Sequence, residues 1–209
     1  MEPITCTALA PPPVLGFLAV HAALRRDCAD LVAVARAGGA VGHRLALLDR
    51  VLTAHHRGED AVLLPLLRSK EPDIAEVTKV VEDQHVRLDA AIDGLRAAAA
   101  DGRTDVDGVA ELADLLADHL ALEEQHLLPT WVASLSPADH ERFARRLRRA
   151  TPWRDIAVVV PWLLDAVPDP FRQVAEGELP RPVRFAYRHG LRSRFERTWH
   201  RPAAVALAV

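Results

Sequence analysis

The stretch HHRGEDAVLLP, residues 55–65, is followed 64 positions later by the related stretch HLALEEQHLLP, residues 119–129. Each copy begins with a histidine, carries a glutamate four residues further on and ends with a proline. The repeat extends outward, because a histidine also precedes each copy by 34 residues, at His21 and at His85. A fixed period shared by several residue types indicates two copies of one supersecondary unit.

The rest of the sequence predicts an all-α protein. Half of the residues are hydrophobic and 5% are aromatic, and the apolar ones are mostly Ala, Leu and Val, with no alternating pattern typical of strands. Apolar residues recur at steps of three and four, which places long helices at about 14–37, 41–67, 72–100 and 106–132. Four long helices joined by short turns favour an up-down-up-down four-helix bundle.

We expect three parts along the chain. Residues 1–13 end in three consecutive prolines and are predicted to be a flexible N-terminus. The bundle is predicted to occupy residues 14–133, as repeats 14–68 and 72–133. Residues 134–209 are predicted to form a helical, basic C-terminal extension, of which residues 151–209 have no counterpart in the repeat.

Six side chains of the repeat are predicted to meet in the bundle interior. In each half, the turn glycine (Gly38 or Gly102) lies 17 residues from both of that half's histidines. Residues equidistant from the turn of an antiparallel hairpin lie at the same height, so the four imidazoles share one level. A glutamate four residues after a histidine lies on the same helix face. The predicted set is His21, His55, Glu59, His85, His119 and Glu123.

These residue types in this arrangement point to metal ions. Carboxylates and imidazoles buried without partners cost roughly several kcal/mol per ion, and bound cations remove that conflict. Four nitrogens and two carboxylates without a thiolate suit iron, manganese or zinc better than calcium or magnesium. Two glutamates among four histidines indicate two ions, each held by two histidines and both bridged by Glu59 and Glu123. About four protein ligands per ion leave positions open for a small molecule.

The sequence resembles the hemerythrin-like HHE cation-binding family through one pattern: His21, His55-x-x-x-Glu59, His85 and His119-x-x-x-Glu123. The resemblance covers about residues 14–133, and actinobacterial-type members of the family carry similar C-terminal tails. It implies a four-helix bundle around a non-haem di-iron centre with carboxylate and oxo bridges, with manganese or zinc as lesser alternatives. It also implies a small-molecule ligand such as O₂, hydrogen peroxide or nitric oxide.

One position departs from the oxygen-carrying hemerythrins. They have a second histidine four residues along the third helix, where this chain has Asp89. An iron with fewer nitrogen ligands has a more open coordination sphere, which favours redox reactivity over reversible O₂ carriage. The expected function is therefore binding and reduction of a small oxidant, hydrogen peroxide first, by a peroxidase-like or catalase-like oxidoreductase. The alternatives are an O₂-binding or NO-binding carrier or sensor without turnover, and an iron-homeostasis protein.

Two charged residues are candidates for the surroundings of the ions. Asp89 shares a helix face with His85, and Arg25 shares one with His21. We expect Arg25 and Asp89 to pair one turn above the histidines and to gate the open positions. A solvated ion pair at the helix edge is the alternative.

A third candidate is His126, which lies one turn past Glu123 on the ligand face of its helix. It is either a neighbour of the ligands, an extra ligand or a packed, hydrogen-bonded histidine. Three other polar residues lie about 100° or more off the ligand direction and are predicted to lie outside the ligand set: His56, Asp60 and Glu124.

Charge and cysteine content favour a cytoplasmic protein. The formal net charge is −3, so no nucleic acid partner is expected. Cys6 and Cys28 are the only cysteines, which excludes a disulfide framework and a thiolate zinc site and fits a reducing compartment. The N-terminus does not resemble a signal peptide. The longest uncharged apolar stretch, residues 156–164, is too short to span a bilayer.

The last segment combines basic charge with an aromatic stripe. Between Arg181 and Arg201 there are seven arginines and one acid, Glu196, so the local formal charge is +6. Apolar residues recur every four positions, at Val183, Tyr187, Leu191, Phe195 and Trp199, interrupted by Gly190. Such a helix can dock on an anionic membrane surface or on a partner protein. Alternatively, the stripe packs on the bundle or on a second subunit while the arginines face water. The oligomeric state is left open.

Overall fold

The structure, a computed structural model, describes residues 11–167 and 169–199. Helices are the regular elements throughout these two ranges, which contain no strand. The predicted all-α class is therefore confirmed. Residues 1–10 of the predicted flexible N-terminus lie outside the described residues, and the first helix begins at Pro12.

The first helices are α1 (Pro12–Arg36), α2 (Gly42–Gly58), α3 (Leu64–Lys70) and α4 (Ala75–Ala100). They are followed by α5 (Val106–Leu122), α6 (Leu128–Ser134), α7 (Pro137–Ala150) and α8 (Trp153–Ala166). The chain continues through α9 (Asp169–Glu178), α10 (Arg181–Ala186) and α11 (Arg192–Trp199). Short π-helical segments join α2 to α3 at Glu59–Leu63, α5 to α6 at Glu123–Leu127 and α10 to α11 at Tyr187–Leu191, and a 3₁₀ turn, Pro72–Ile74, precedes α4.

Four long helical rods form the bundle, because α2 continues into α3 and α5 continues into α6. Helix α1 contacts α2 and α5, and α4 contacts the same two helices, so α1 and α4 lie on a diagonal. Short turns make each rod run opposite to the one before it. This is the predicted up-down-up-down four-helix bundle, and that prediction is confirmed.

The bundle core consists of two apolar clusters with a polar layer between them. On α1, Leu24 belongs to the cluster nearer the turns and Phe17 to the other, with His21 between them. On α4, Leu88 and Val81 are divided in the same way. The apolar positions of each helix thus continue above and below the polar layer, which places that layer in the interior.

The C-terminal helices pack on this bundle and share its core. Trp162 of α8 lies in the cluster nearer the turns, and its Nε1 donates a hydrogen bond of 2.6 Å to Asp27 Oδ2. Phe195 of α11 belongs to the same cluster, and Phe143 of α7 belongs to the other one. The extension thus contributes side chains to both apolar clusters of the bundle. The predicted boundaries, 14–133 for the bundle and 134–209 for the extension, stay a proposal.

The aromatic stripe of the last segment turns inward. Tyr187 and Phe195 are buried and Trp199 packs against the core, which agrees with the packing interpretation. The arginines at positions 188, 192, 194 and 197 are exposed, so the predicted docking on a membrane or partner concerns the arginine face alone and stays a prediction. Within the described ranges, no helix combines the length and the apolar character needed to cross a bilayer.

The two bundle hairpins turn at glycines in the left-handed region, with φ of 71° at Gly38 and 73° at Gly102. Residues with a Cβ rarely adopt this conformation. These glycines therefore fix where each hairpin reverses and, through the repeat, the common height of the histidines.

Replacing Gly102 with alanine is expected to lower the free energy of unfolding by about 1–2 kcal/mol, because alanine is disfavoured at this φ. A Cβ at this position would meet nothing within 4 Å, so the effect is conformational rather than steric. Gly94→Ala is the matched control: it lies inside α4, also with open space around the Cβ, and should raise stability by about 0.5–1 kcal/mol. Urea denaturation measures both. Equal shifts of the same sign would contradict the explanation.

Candidate metal centre

The structure brings the six predicted side chains together in the polar layer. His21, His119 and Glu123 have no exposed surface, Glu59 is 3% exposed and His85 4%. The side chain of His55 is 8% exposed. All six come from the bundle rods, as the repeat predicts.

The first group of donor atoms contains the histidines of α1 and α2 together with both glutamates. His21 Nε2 is 3.2 Å from Glu123 Oε2, and His55 Nε2 is 3.3 Å from Glu59 Oε1. One donor atom from each of these four residues lies within 4.8 Å of the other three. This group therefore offers two imidazole nitrogens and one oxygen from each glutamate.

The second group uses the other histidine pair and the opposite oxygens of the same glutamates. His85 Nε2 is 3.4 Å from Glu59 Oε2, and His119 Nε2 is 3.6 Å from Glu123 Oε1. One donor atom from each of these residues again lies within 4.8 Å of the others. Each glutamate thus directs one oxygen to each histidine pair, which is the geometry of a carboxylate bridge.

The donor atoms fit metal ions better than they fit one another. Nε2 of the four histidines and both oxygens of Glu59 and Glu123 are buried, and all eight atoms lack a hydrogen-bond partner. Ligands held about 2.0–2.2 Å from one ion lie roughly 3.0–3.5 Å apart, and the shortest separations in the two groups, 3.2 to 3.4 Å, fall in that range. Buried polar atoms without partners are destabilising, so a cation in each group would satisfy the whole layer.

Both glutamates lie at the start of a π-helical segment. The amide of Leu64 donates to the Glu59 carbonyl, and the amide of Leu128 donates to the Glu123 carbonyl, five residues back in each case. Each segment is followed by the repeated proline, which lacks an N–H and disfavours a regular α-helical turn before it. The sequence predicts that these prolines end or kink the helices. Instead, each rod continues through one wide turn that carries the glutamate.

The opposite nitrogens of three histidines are held by hydrogen bonds. His21 Nδ1 lies 2.9 Å from Glu124 Oε1, and His85 Nδ1 lies 2.9 Å from Asp60 Oδ1. A protonated Nδ1 that donates to a carboxylate leaves the lone pair on Nε2, the atom that faces the two glutamates. Asp60 and Glu124 indeed do not face the glutamates, but this orienting contact was not predicted. The sequence does contain a signal for it: an acidic residue directly follows the repeated glutamate in each half, Asp60 after Glu59 and Glu124 after Glu123.

The third such contact has no counterpart in the other half. His119 Nδ1 lies 3.1 Å from the side-chain oxygen of Gln84. The position of Gln84 in the first half is occupied by Val20, whose side chain offers no polar atom. The histidines themselves are therefore the same in both halves, whereas the hydrogen-bond partners of their Nδ1 atoms are not.

The predicted pair between Arg25 and Asp89 is wrong. Arg25 Nη1 donates to Glu124 Oε1 at 2.7 Å, because α1 packs against α5 while α4 lies diagonally opposite. The side chain of Asp89 is 62% exposed, and its nearest ionic neighbour is His56 Nδ1 at 3.8 Å. His126 is exposed and does not join the layer.

His56 lies against the polar layer, although the helix-angle argument gives it no part in the site. It is 4% exposed, and its ring stacks on that of His85 with centroids 3.9 Å apart and planes 14° from parallel. Neither ring nitrogen has a hydrogen-bond partner. One of its nitrogens lies within 4.8 Å of donor atoms of His85 and His119. The dipeptide His55-His56 was the available signal, since two consecutive histidines on a helix can face two neighbouring helices.

Burial pushes most groups of the layer towards their neutral forms. It lowers the pKa of His119 to about 3 and that of His55 well below its usual value, and neighbouring imidazoles add to both shifts. It also raises the pKa of Glu59 and raises that of Glu123 to about 8, where the charge of Glu59 contributes. The interior thus disfavours charge on these groups unless a cation accompanies it.

Two histidines are shifted in the other direction. Burial alone would lower their pKa, but two neighbouring glutamates outweigh it and raise the pKa of His21. At His85, the carboxylates of Asp60 and Glu59 outweigh burial and raise the pKa to about 10. The layer therefore contains groups that hold protons more tightly when folded than when unfolded.

In the presence of a chelator, the free energy of unfolding is expected to fall as the pH rises from about 6.5 to about 8. Over that range folded Glu123 (pKa about 8 against 4.5) and folded His85 (about 10 against 6.5) hold protons that the unfolded chain releases. Each such proton corresponds to a slope of about 1.4 kcal/mol per pH unit. The depressed pKa of His119 acts with the opposite sign, but below about pH 6.5. Urea denaturation at several pH values measures the slope.

The control for this slope is Glu123→Gln, which removes one of the two protons and should make the decline shallower. A free energy of unfolding that stays constant or increases across the same pH range would contradict the assignment of the protons.

Comparison with known proteins identifies one family. The family model described as "Hemerythrin HHE cation binding domain" matches residues 15–131, which is more than half of the chain and includes all six residues. None of the curated proteins and none of the solved structures matches the chain significantly.

Proposed function

The chain belongs to the hemerythrin HHE cation-binding family, and we propose that it is a non-haem di-iron protein that binds and reduces small oxidants. The observation that carries this proposal is the set of eight buried donor atoms without hydrogen-bond partners, divided into two groups that share both glutamates. Hydrogen peroxide is the proposed first substrate, with O₂ and nitric oxide as further ligands.

Each ion is assigned two histidines and one oxygen from each glutamate. His21 and His55 would hold the first ion, and His85 and His119 the second. Nitrogen and carboxylate donors without a thiolate suit iron, and the family supports iron over manganese or zinc. Two sites that share two carboxylates at these distances support a bridged pair rather than two independent ions.

Two ferrous ions held by these residues would supply Lewis acidity and two electrons, which with two protons is what the reduction of one hydrogen peroxide to two waters requires. The residues of the chain contribute orientation and exclusion of water. Asp60 and Glu124 fix the tautomers of two histidines through Nδ1. The apolar clusters on both sides of the layer keep bulk water from it.

We also propose that the protein acts in the cytoplasm. Return of the iron to the ferrous state needs a reducing compartment, and the described part of the chain has one free, buried cysteine, Cys28. Burial raises its pKa to about 11, with the charge of Asp27 adding to the shift. The thiol is therefore protonated at neutral pH and is no competitor for the oxidant.

Protein reconstituted with ferrous iron without oxygen and then oxidised is expected to hold two irons per chain and to show near-ultraviolet charge-transfer bands of an oxo-bridged centre. Glu59→Gln should reduce the content to one iron or fewer, because this glutamate serves both groups. His126→Ala, an exposed histidine one turn past Glu123, should keep two. Metal analysis and the optical spectrum are the measurements.

A wild-type protein without bound iron would refute the di-iron proposal, and a preference for zinc or manganese would reassign the metal. More than two irons per chain would instead support iron homeostasis.

Stopped-flow mixing of the di-ferrous protein with hydrogen peroxide should show oxidant loss that continues past one equivalent when an electron donor is supplied. Protein loaded with redox-inert zinc is the control and should leave the peroxide unchanged. Oxygen evolution without a donor would indicate catalase-like rather than peroxidase-like turnover. A long-lived oxygenated spectrum with no turnover would support reversible O₂ carriage or sensing and contradict the enzyme.

A further inference from the structure

An open cleft of about 390 Å³ lies beside α2 and α4, lined by Thr53, His56, Arg57, Asp60, Ala61 and Asp89. Two of these residues contact His85 of the polar layer: His56 stacks on its ring, and Asp60 lies beside its Nδ1. Most of its polar groups are engaged elsewhere. Arg57 donates a hydrogen bond of 2.8 Å to Asp155, and Asp60 Oδ1 lies 2.9 Å from His85 Nδ1. The cleft is therefore separated from the second histidine pair by one layer of side chains, His56 and Asp60.

His56 lines this cleft, and both of its ring nitrogens are buried and have no hydrogen-bond partner. The nearest carboxylate oxygen, on Asp89, is 3.8 Å from Nδ1, which is longer than a hydrogen bond. A neutral imidazole has one donor and one acceptor nitrogen. Both ring nitrogens of His56 are therefore available for hydrogen bonds to a small molecule that binds beside the ring.

Two roles are open to His56, and ring geometry separates them. A histidine binds a metal ion along the plane of its ring, so two ligands of one ion must have planes that meet at it. The rings of His56 and His85 are stacked 3.9 Å apart and 14° from parallel. They cannot both direct a lone pair to the same ion. His56 is therefore a neighbour of the ion position and not one of its ligands.

The equivalent face of the other half is closed. Leu120 occupies the position of His56 and has no exposed surface. Arg25 occupies the position of Asp89, and it joins Glu124 in an ion pair of 2.7 Å beside His21. The fold therefore does not require a polar residue or an opening at this position. The cleft and His56 are particular to the side of His85 and His119.

We propose that the cleft is the entrance and binding position for the small oxidant, next to the ion of His85 and His119, and that His56 donates a hydrogen bond to it there. This inference rests on the proposed di-iron function. The cleft takes a small molecule with hydrogen-bond acceptor atoms, such as peroxide or azide. His56 is a positioning residue, and the ion of His21 and His55 stays closed to direct entry.

Azide binding to the iron-loaded, oxidised protein tests the entrance. Ala61→Trp fills the cleft from an exposed position and should slow azide association at least about tenfold. The matched control is Gln125→Trp, which is exposed at the corresponding position of the other π-helical segment and should leave the rate unchanged. Equal rates in both variants would overturn the inference, as would slowing by Gln125→Trp alone.

The hydrogen bond is tested by infrared spectroscopy of the bound azide. In the wild type, the azide stretch should shift when H₂O is replaced by D₂O, and His56→Gln, which keeps a donor, should retain a shift. His56→Leu, the residue of the other half, should lose the shift and weaken azide binding about tenfold while the iron content stays at two. A shift that persists in His56→Leu overturns the role of His56.

The two proposals fail in different ways. Wild-type protein that takes up no iron refutes the di-iron function before azide is added. The inference is refuted if the protein binds iron but Ala61→Trp does not change the azide association rate and His56→Leu does not change the infrared shift. That result would not affect the di-iron proposal.

Discussion

The structure depends on one constraint: eight buried oxygen and nitrogen donors occupy one layer of the bundle and have no hydrogen-bond partners. An apolar core would not tolerate such a layer without compensation. The two clusters above and below it supply the hydrophobic stabilisation of the bundle. The layer itself contributes to stability only when positive charge is brought to it. Stability and function are therefore coupled at the same residues.

Three local features hold the donors in place before any ion arrives. Left-handed glycines set the heights of the hairpins, and π-helical turns carry the two glutamates. Carboxylates behind His21 and His85 fix which nitrogen faces inward. Such outer contacts tune metal sites nearly as strongly as the ligands do. The π-helical turns interrupt regular α-helical structure, which is expected where geometry is needed for chemistry.

The sequence predicts the fold well because its signals are local and periodic. Helical steps of apolar residues, two turn glycines and a 64-residue period suffice for the bundle and for the meeting of six side chains. The surroundings of those side chains were harder to predict. Asp60 and Glu124 reach the far nitrogens of histidines on neighbouring helices, and Arg25 faces α5 rather than α4, so both depend on which helices are adjacent. Helix angles on one rod cannot supply that information. The π-helical turns could not be predicted for a related reason. A proline shows that one backbone hydrogen bond is missing, but not whether the helix ends, kinks or widens there.

The two halves agree where they face the proposed ions and differ around them, and this difference has a chemical consequence. Identical surroundings would make the two ion positions equivalent, with no reason for an oxidant to approach one first. Leu120 and the Arg25–Glu124 pair close one side, while His56 lines a cleft on the other. Under the proposed function, an oxidant would approach the site of His85 and His119, and Glu59 and Glu123 would connect that site to the one held by His21 and His55. A duplicated helical hairpin thus supplies two similar groups of donors, and under the proposed function a few differences outside the donor set would be enough to give the two sites different tasks.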